Sequence, residues 1–346
     1  GVFWDFASLH QHPPEDVGGS RTMEEDALFK QGLEGLGRFY SHPRTTVFRM
    51  TRMPENWPQD YNLPKNANVA DYINRGWCYT EQCWASLTKD YDFSLDLGRL
   101  PPLVLSGSPT RSARMSTKRE IIEACTKGGG RRPPLTPEQF DEEVSKRAFT
   151  NGKDDKPLVQ KLYKDECASR LGSASSITYA SLGWGDVEAL QLADVLSSGA
   201  TPQLAVFDLH DNKFHDKGIK ALAAAFATPD VLPNLESLDL RSCRIGEAGM
   251  KAIAEAITAG ALPKLRHCFL GGNPGTQHSV VAALKRRHHQ NGTLRPMSSP
   301  RGTTGLRPRP LSEEWRTRNV AAGRSATVKR RWVRAVKGVI EEIVRV

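Results

Sequence analysis

The feature that most constrains the fold is a period of about 30 residues in the second half of the chain. Three apolar segments repeat one spacing: Leu204-x-x-Phe207-x-Leu209, Leu235-x-x-Leu238-x-Leu240 and Leu265-x-x-Cys268-x-Leu270. A degenerate earlier copy fits at the same offset, with Ile177 and Tyr179 as its anchors. Each strand is followed by apolar residues at helical spacing, as in Ile219, Leu222 and Phe226. A single strand–helix unit cannot bury its own apolar face, so the copies must stack with their strands parallel.

A polar or thiol side chain closes each strand, at Asn212, Cys243 and Asn273. Anchors, turn residue and helix recur together over residues 175–290, and this pattern resembles the ribonuclease-inhibitor type of leucine-rich repeat. The resemblance implies a short βα horseshoe with a parallel sheet along its concave face.

The side chains between the anchors are predicted to be exposed on that concave face. They are mixed and mostly polar, which suits a protein partner. A short array could instead only cap or rigidify its neighbour, and the sequence leaves that alternative open. The predicted partner-binding residues are Asp208, His210, Asp211, Asp239, Arg241, Ser242, His267 and Phe269.

The N-terminal part alternates strand and helix patterns, which predicts an α/β fold with a parallel sheet. The run Val2–Phe6 and the segment Thr45–Met50 are predicted strands. Between them, Thr22 and Glu25 form a capping box at the start of a helix. A further helix is predicted from about Arg75 to Leu87.

Two short motifs in residues 1–90 resemble known domains. Trp4-Asp5-x-x-Ser8-Leu9-x-Gln11 and Arg75-x-Trp77-x-x-x-Glu81 are similar to segments of the fungal heterokaryon-incompatibility (HET) domain, with Thr80 where Gln is usual. Trp77-Cys78-x-x-Glu81 is also similar to the WCxxE stretch of Toll/interleukin-receptor (TIR) domains. The TIR resemblance implies that Glu81 is a catalytic residue for NAD cleavage. Asp5 at a strand end, and Arg75 and Trp77 beside Glu81, are further candidate binding residues.

A carboxylate suits that chemistry, because loss of nicotinamide passes through a positively charged ribosyl state that an acidic side chain can stabilise. Catalysis would need Glu81 to line an open cleft. The alternative is a solvated first-turn glutamate favoured by the helix dipole, with Trp77 packing in the core.

We expect four segments: a HET/TIR-like α/β domain over 1–100, a loop-rich linker with a helical pair over 101–174, the repeats over 175–290, and a largely disordered basic tail over 291–346. From Lys285 onward the chain holds 16 of its 48 basic residues but only 4 of its 39 acidic ones. The tail could therefore contact anionic membrane or nucleic acid through a terminal helix, or be a solvated extension.

The composition argues against a membrane-spanning protein and against a disulfide-rich or metal-binding one. No apolar run approaches the roughly 20 residues of a membrane helix. The six cysteines lack a CxxC pair, so we expect free thiols, a cytoplasmic location and no metal site. Gly1 opens directly on an apolar strand pattern, which leads us to expect further residues upstream.

Two functions remain open at this stage. One is a signalling protein whose repeats bind a protein partner, with self-association as a further option, and whose N-terminal domain cleaves NAD as a substrate. The other is a non-catalytic binding adaptor. Neither requires a cofactor.

Overall fold

The computed structural model describes Leu9 and residues 20–53, 58–60, 62, 67–100, 118–126 and 131–290. Within these ranges the chain forms two parallel sheets, one near the N-terminus and one built by the repeats. The predicted strand Val2–Phe6, the predicted binding residue Asp5 and the basic tail beyond Gln290 lie outside the described residues.

The first helix, α1 (Met23–Ser41), begins at the predicted capping box. The backbone N–H of Glu25 donates to Thr22 Oγ1 at 3.2 Å, and the Thr22 N–H donates to the Glu25 carboxylate at 2.8 Å. The buried face of α1 carries Leu36. Next to it, Gly37 leaves room for the Trp84 ring, which a Cβ would approach to 3.2 Å.

A two-stranded parallel sheet follows, formed by β1 (Val47–Arg49) and β2 (Ser94–Asp96). Helix α2 (Gly76–Ala85) lies between these strands in sequence. The 3-10 turns Tyr72–Asn74 and Tyr91–Phe93 precede and follow it, and a third turn, Leu97–Arg99, follows β2. The expected strand and helix are therefore present, and β1 pairs in parallel with β2, a strand that was not predicted. The signal for β2 was the alternation of Phe93, Leu95 and Leu97 with polar residues.

Within the segment predicted as a loop-rich linker with a helical pair, the structure describes residues 118–126 and 131–174. Helix α3 (Lys118–Thr126) packs on β2 and buries Ile121, Ile122 and Cys125 against Leu95. The predicted helical pair is α4 (Pro137–Ser145) and α5 (Gly152–Gly172). This helical pair packs on α2.

The repeats form a four-stranded parallel sheet in chain order: β3 (Ser176–Thr178), β4 (Val206–Asp208), β5 (Ser237–Asp239) and β6 (His267–Phe269). After these strands come α6 (Asp186–Ser197), α7 (Asp216–Phe226), α8 (Glu247–Thr258) and α9 (His278–Gln290). The register aligns Ile177 with Phe207, Phe207 with Leu238, and Leu238 with Cys268. That is the alignment predicted by the 30-residue offset.

One apolar core runs through both parts, from Leu36 in α1 to Ala283 in α9. At the junction, the Trp184 Nε1–H donates to the Arg131 carbonyl at 2.8 Å, and the Tyr179 hydroxyl donates to the Leu87 carbonyl. The first repeat is therefore bonded directly to the N-terminal unit. Among the helices described here, none is both long and apolar enough to cross a bilayer.

Candidate functional site

The repeat sheet presents one face to the core and one to the concave side. The middle residue of each strand points into the core, and Phe207 and Leu238 are at most 1% exposed. Residues on either side point the opposite way, because side chains alternate along a strand. Parallel register aligns them in two columns: Val206, Ser237 and His267 in one, and Asp208, Asp239 and Phe269 in the other.

Asp208 holds the side chain of His210. The carboxylate accepts from the His210 backbone N–H at 3.1 Å and contacts the ring Nδ1 at 2.6 Å. Hydrogen bonding to Asp208 raises the pKa of His210 above its ordinary value of 6.5, against the opposing effect of burial. The imidazolium is thus favoured, and it faces the concave side half-buried.

Asp239 holds Arg241 in the same way, one repeat further. Its two carboxylate oxygens lie 2.9 and 3.0 Å from Arg241 Nε, and the Arg241 backbone N–H donates to Oδ1 at 3.1 Å. The guanidinium lies 5.7 Å from the ring centre of Phe269, and the Phe269 ring stacks on His267 at 6.2 Å. Arginine and the aromatic residues are thereby ordered into one patch.

The turn after each of the first three repeat strands places a polar side chain at the edge of the sheet. Ser181, Asp211 and Ser242 have positive φ near 55°, and Gly272 has φ 75° at the equivalent place in the last repeat. Asp211 and Ser242 are exposed, as predicted, and the Ser181 hydroxyl donates to the Asp211 carboxylate at 3.1 Å.

The predicted exposure of Asp208 and Asp239 is wrong. Their exposed fractions are 4% and 6%, because the side chains of His210 and Arg241 fold over them. Their structural role is to position these two cations. The surface that a partner would touch is formed by the other six predicted residues: His210, Asp211, Arg241, Ser242, His267 and Phe269.

Asp208, His210 and Asp239 bring three potential metal-ligand atoms within 4.8 Å of one another. Both carboxylates already engage cationic or hydrogen-bonding partners, and Arg241 holds both oxygens of Asp239. A divalent ion would have to displace that guanidinium. The cluster therefore fits an ion-pair network better than a metal centre.

The three N-terminal site residues in the described part of the chain lie on or beside α2. Glu81 is 8% exposed, so the solvated glutamate predicted as an alternative is wrong. Burial and then the nearby Glu81 charge raise the pKa of Tyr72. Trp77 packs against the core and hydrogen-bonds Asp155, while Arg75 Nε donates to the Ala70 carbonyl at 2.7 Å.

A cleft lies beside α2, and among the residues described as lining it are Tyr72 and Gln82 but not Glu81. Sequence reasoning did not single out Arg49, which also lines this cleft. The signal was present: a charged residue at the carboxyl end of a short apolar strand, where α/β sheets bind ligands.

The family model described as Leucine Rich repeat matches residues 204–223 and 231–254. These segments contain β4 and β5, each with most of the helix that follows it. The chain thus contains leucine-rich repeats, which indicate a protein-binding role. A comparison with curated proteins finds no match to the chain. The HET and TIR resemblance of the N-terminal part gains no support from these comparisons.

Proposed function

We propose that the protein is a leucine-rich-repeat binding protein whose concave face holds a protein partner. The observation that carries the proposal is the ordered patch of Arg241, Phe269 and His267, with the His210 imidazole beside it. Arginine and aromatic residues are enriched where interfaces gain their binding energy. Because Asp239 already holds the guanidinium in place, little side-chain freedom is lost when a partner binds.

The experiment compares single variants on opposite faces of the repeats. Arg241→Ala and Phe269→Ala remove the patch, and Lys251→Ala removes an exposed lysine from α8 as the matched control. A partner is isolated from cells with the wild-type chain, purified, and titrated by calorimetry. We expect each patch variant to lose about 2 kcal/mol or more of binding free energy, and the control to bind normally.

Circular dichroism shows whether each variant is folded before titration. Equal affinity for the wild type and both patch variants would place the interface elsewhere and contradict the proposal. Equal weakening of all three variants would also contradict it, since that points to loss of stability and not of contacts.

The wider hypothesis adds a cytoplasmic signalling role, with the N-terminal unit cleaving NAD through Glu81. Its support is the motif resemblance alone, and the burial of Glu81 outside the adjacent cleft favours the non-catalytic adaptor. The discriminating assay is NAD consumption by the full chain, with and without its partner, beside Glu81→Gln. Cleavage lost in Glu81→Gln would support the enzyme, and no cleavage by the wild type would support the adaptor.

Self-association and binding of nucleic acid or anionic membrane by the tail stay predictions. Light scattering checks the first. Salt-dependent binding by the full chain, compared with a chain ending at Gln290, checks the second.

A further inference from the structure

A cleft of about 670 Å³ lies where the N-terminal sheet faces the first repeat. Arg49 and Asp96 reach it from the last residues of β1 and β2, and Trp184 and Glu188 reach it from the repeat side. Small-molecule sites have volumes of about 300–1,000 Å³. The carboxyl ends of parallel strands are also where α/β sheets bind ligands. Size and position therefore both fit a ligand site.

Among the described residues, arginines outnumber carboxylates by four to three in the lining of the cleft. Four arginines contribute to it: Arg49, Arg99, Arg131 and Arg132. The described residues add three carboxylates, of Asp71, Asp96 and Glu188.

Two of those carboxylates are engaged by the protein itself. Asp96 pairs with Arg99 at 3.3 Å and accepts from the Gly98 N–H at 3.0 Å. Glu188 accepts from the Gly185 N–H at 2.8 Å, at the start of α6. Asp96 also lies opposite Arg49 in the β1–β2 register, and its charge favours the Arg49 guanidinium, so this one carboxylate serves both Arg49 and Arg99.

Arg49 is buried and incompletely hydrogen-bonded. Its side chain is 96% buried, since the residue is 4% exposed. One terminal nitrogen donates to Gln82 Oε1 at 3.1 Å, while Nε has no hydrogen-bond partner among the described residues. Burial lowers the pKa of Arg49, but a guanidinium stays charged at neutral pH. A buried cation that shares its carboxylate with Arg99, and whose Nε has no hydrogen bond among the described residues, is costly, and an anion in the cleft would offset that cost.

Two further arginines border the same space. Arg131 is 7% exposed and donates to the carbonyls of Ser86 and Lys89, leaving Nε without a partner in the described part of the chain. Arg132 is exposed at the rim, 5.6 Å from the ring centre of Tyr79. A ligand with several charged oxygens could contact more than one of these groups, which a single carboxylate could not do as well.

We propose that this cleft binds a phosphate-bearing small molecule, with Arg49 as the central contact and Arg132 at the entrance. The planar guanidinium suits phosphate oxygens, and the burial of Arg49 strengthens its electrostatic interaction with an anion. The proposal is independent of the concave-face function, because none of the concave residues lines the cleft.

The test titrates the full chain with inorganic pyrophosphate by calorimetry. We expect saturable binding by the wild type, at least about tenfold weaker in Arg49→Gln and intermediate in Arg49→Lys, which keeps the charge but not the fork. Arg52→Gln is the matched control. It removes a nearby positive charge from an exposed residue that does not line the cleft, and it should bind normally.

Arg49 is buried, so folding of Arg49→Gln is checked by circular dichroism. Arg132→Gln, at an exposed position, gives a second test with an expected loss of several-fold. No saturable binding by the wild type would overturn the proposal. Equal affinities of the Arg49, Arg132 and Arg52 variants would overturn it too, as would malonate binding as tightly as pyrophosphate.

Discussion

At the residue scale, the concave face depends on carboxylates that are not themselves exposed. Asp208 and Asp239 lie at equivalent register positions and each orients a cationic side chain two residues further on. The neighbouring strand brings Phe269 to the same register position, where a carboxylate would otherwise stand. The change from Asp to Phe gives Arg241 an aromatic neighbour as well as its carboxylate partner.

The pair Asp208–His210 gives a pH prediction. Because the folded pKa of His210 lies above its unfolded value near 6.5, the pair stabilises the fold fully below that value, and the contribution is lost as the pH rises through the folded pKa. Asp208→Asn should lower the pKa of His210 towards its ordinary value. NMR titration of the imidazole checks this, and an unchanged pKa in the variant would show that another group sets it.

A second residue-scale prediction concerns Asn212, which is 2% exposed. Its amide donates to the Tyr179 and Leu209 carbonyls at 2.8 Å and accepts from the Leu182 and Trp184 N–H groups. Asn212→Ala removes the partner of four buried backbone groups, of which the Leu209 carbonyl still accepts from the Cys243 thiol at 3.2 Å; each group left unsatisfied costs about 1–3 kcal/mol. We expect at least about 3 kcal/mol of destabilisation in urea denaturation.

The control for Asn212 is Asn234→Ala. Asn234 also donates to a backbone carbonyl, that of Pro202 at 2.8 Å, but in an exposed bond. It should change stability by about 0.5 kcal/mol or less. Similar losses in the two variants would contradict the assigned role of the buried amide.

At the element scale, each repeat caps the helix of the next one. Helices α7 and α8 have no capping side chain at their own N-cap residues, His215 and Gly246. Instead, Asp186 accepts from the backbone N–H groups of His215 and Gly218, and Asp216 from those of Gly246 and Gly249. The close approach explains Gly218, where a Cβ would lie 2.7 Å from the Asp186 carboxylate. Adjacent repeats are thus coupled by side chains as well as by strand pairing.

Asp216→Ala should cost about 0.5–2 kcal/mol, as loss of a helix cap does. Asp216→Asn keeps an oxygen acceptor and should recover most of that stability. Glu255→Ala, at an exposed position of α8, serves as control. Thermal unfolding measures the stability of all three variants. If Asp216→Asn loses as much stability as Asp216→Ala, the charge of Asp216, and not its hydrogen bonds, stabilises the start of the helix.

At the scale of the whole molecule, a single apolar core joins the repeats to the helices α1, α2, α4 and α5, so we expect them to unfold as one cooperative unit. The sheet β1–β2 and helix α3 have a second, smaller core. Bonds from Tyr179 and Trp184 tie the first repeat to the loop segments beside α2. A destabilising substitution in the repeats should therefore also destabilise the helices near the N-terminus.

Leu238→Ala tests this cooperativity. Leu238 is completely buried in β5, and such truncations cost about 2–5 kcal/mol. We expect one unfolding transition, with amide protection in α2 lost together with that in the repeats. Val187→Ala, at a side chain 74% exposed, is the control. Persistent protection of α2 after the repeats unfold would show two independent units.

The elements that sequence alone predicted depend on a repeated apolar pattern or on contacts between residues close in sequence. The 30-residue period gave the alignment of Ile177, Phe207, Leu238 and Cys268, since stacked units must bury the same positions. The capping box at Thr22 depends only on residues three apart.

Tertiary structure decided what depends on neighbours distant in sequence. Whether Asp208 is exposed depends on the side chain that folds over it, and the cap of α8 comes from a carboxylate 30 residues earlier. The cleft joins β1, β2 and the first repeat, so no local pattern reveals its excess of arginines. The solvation and the charge partners of a side chain depend on which distant segments pack against it, and only the folded core determines that packing.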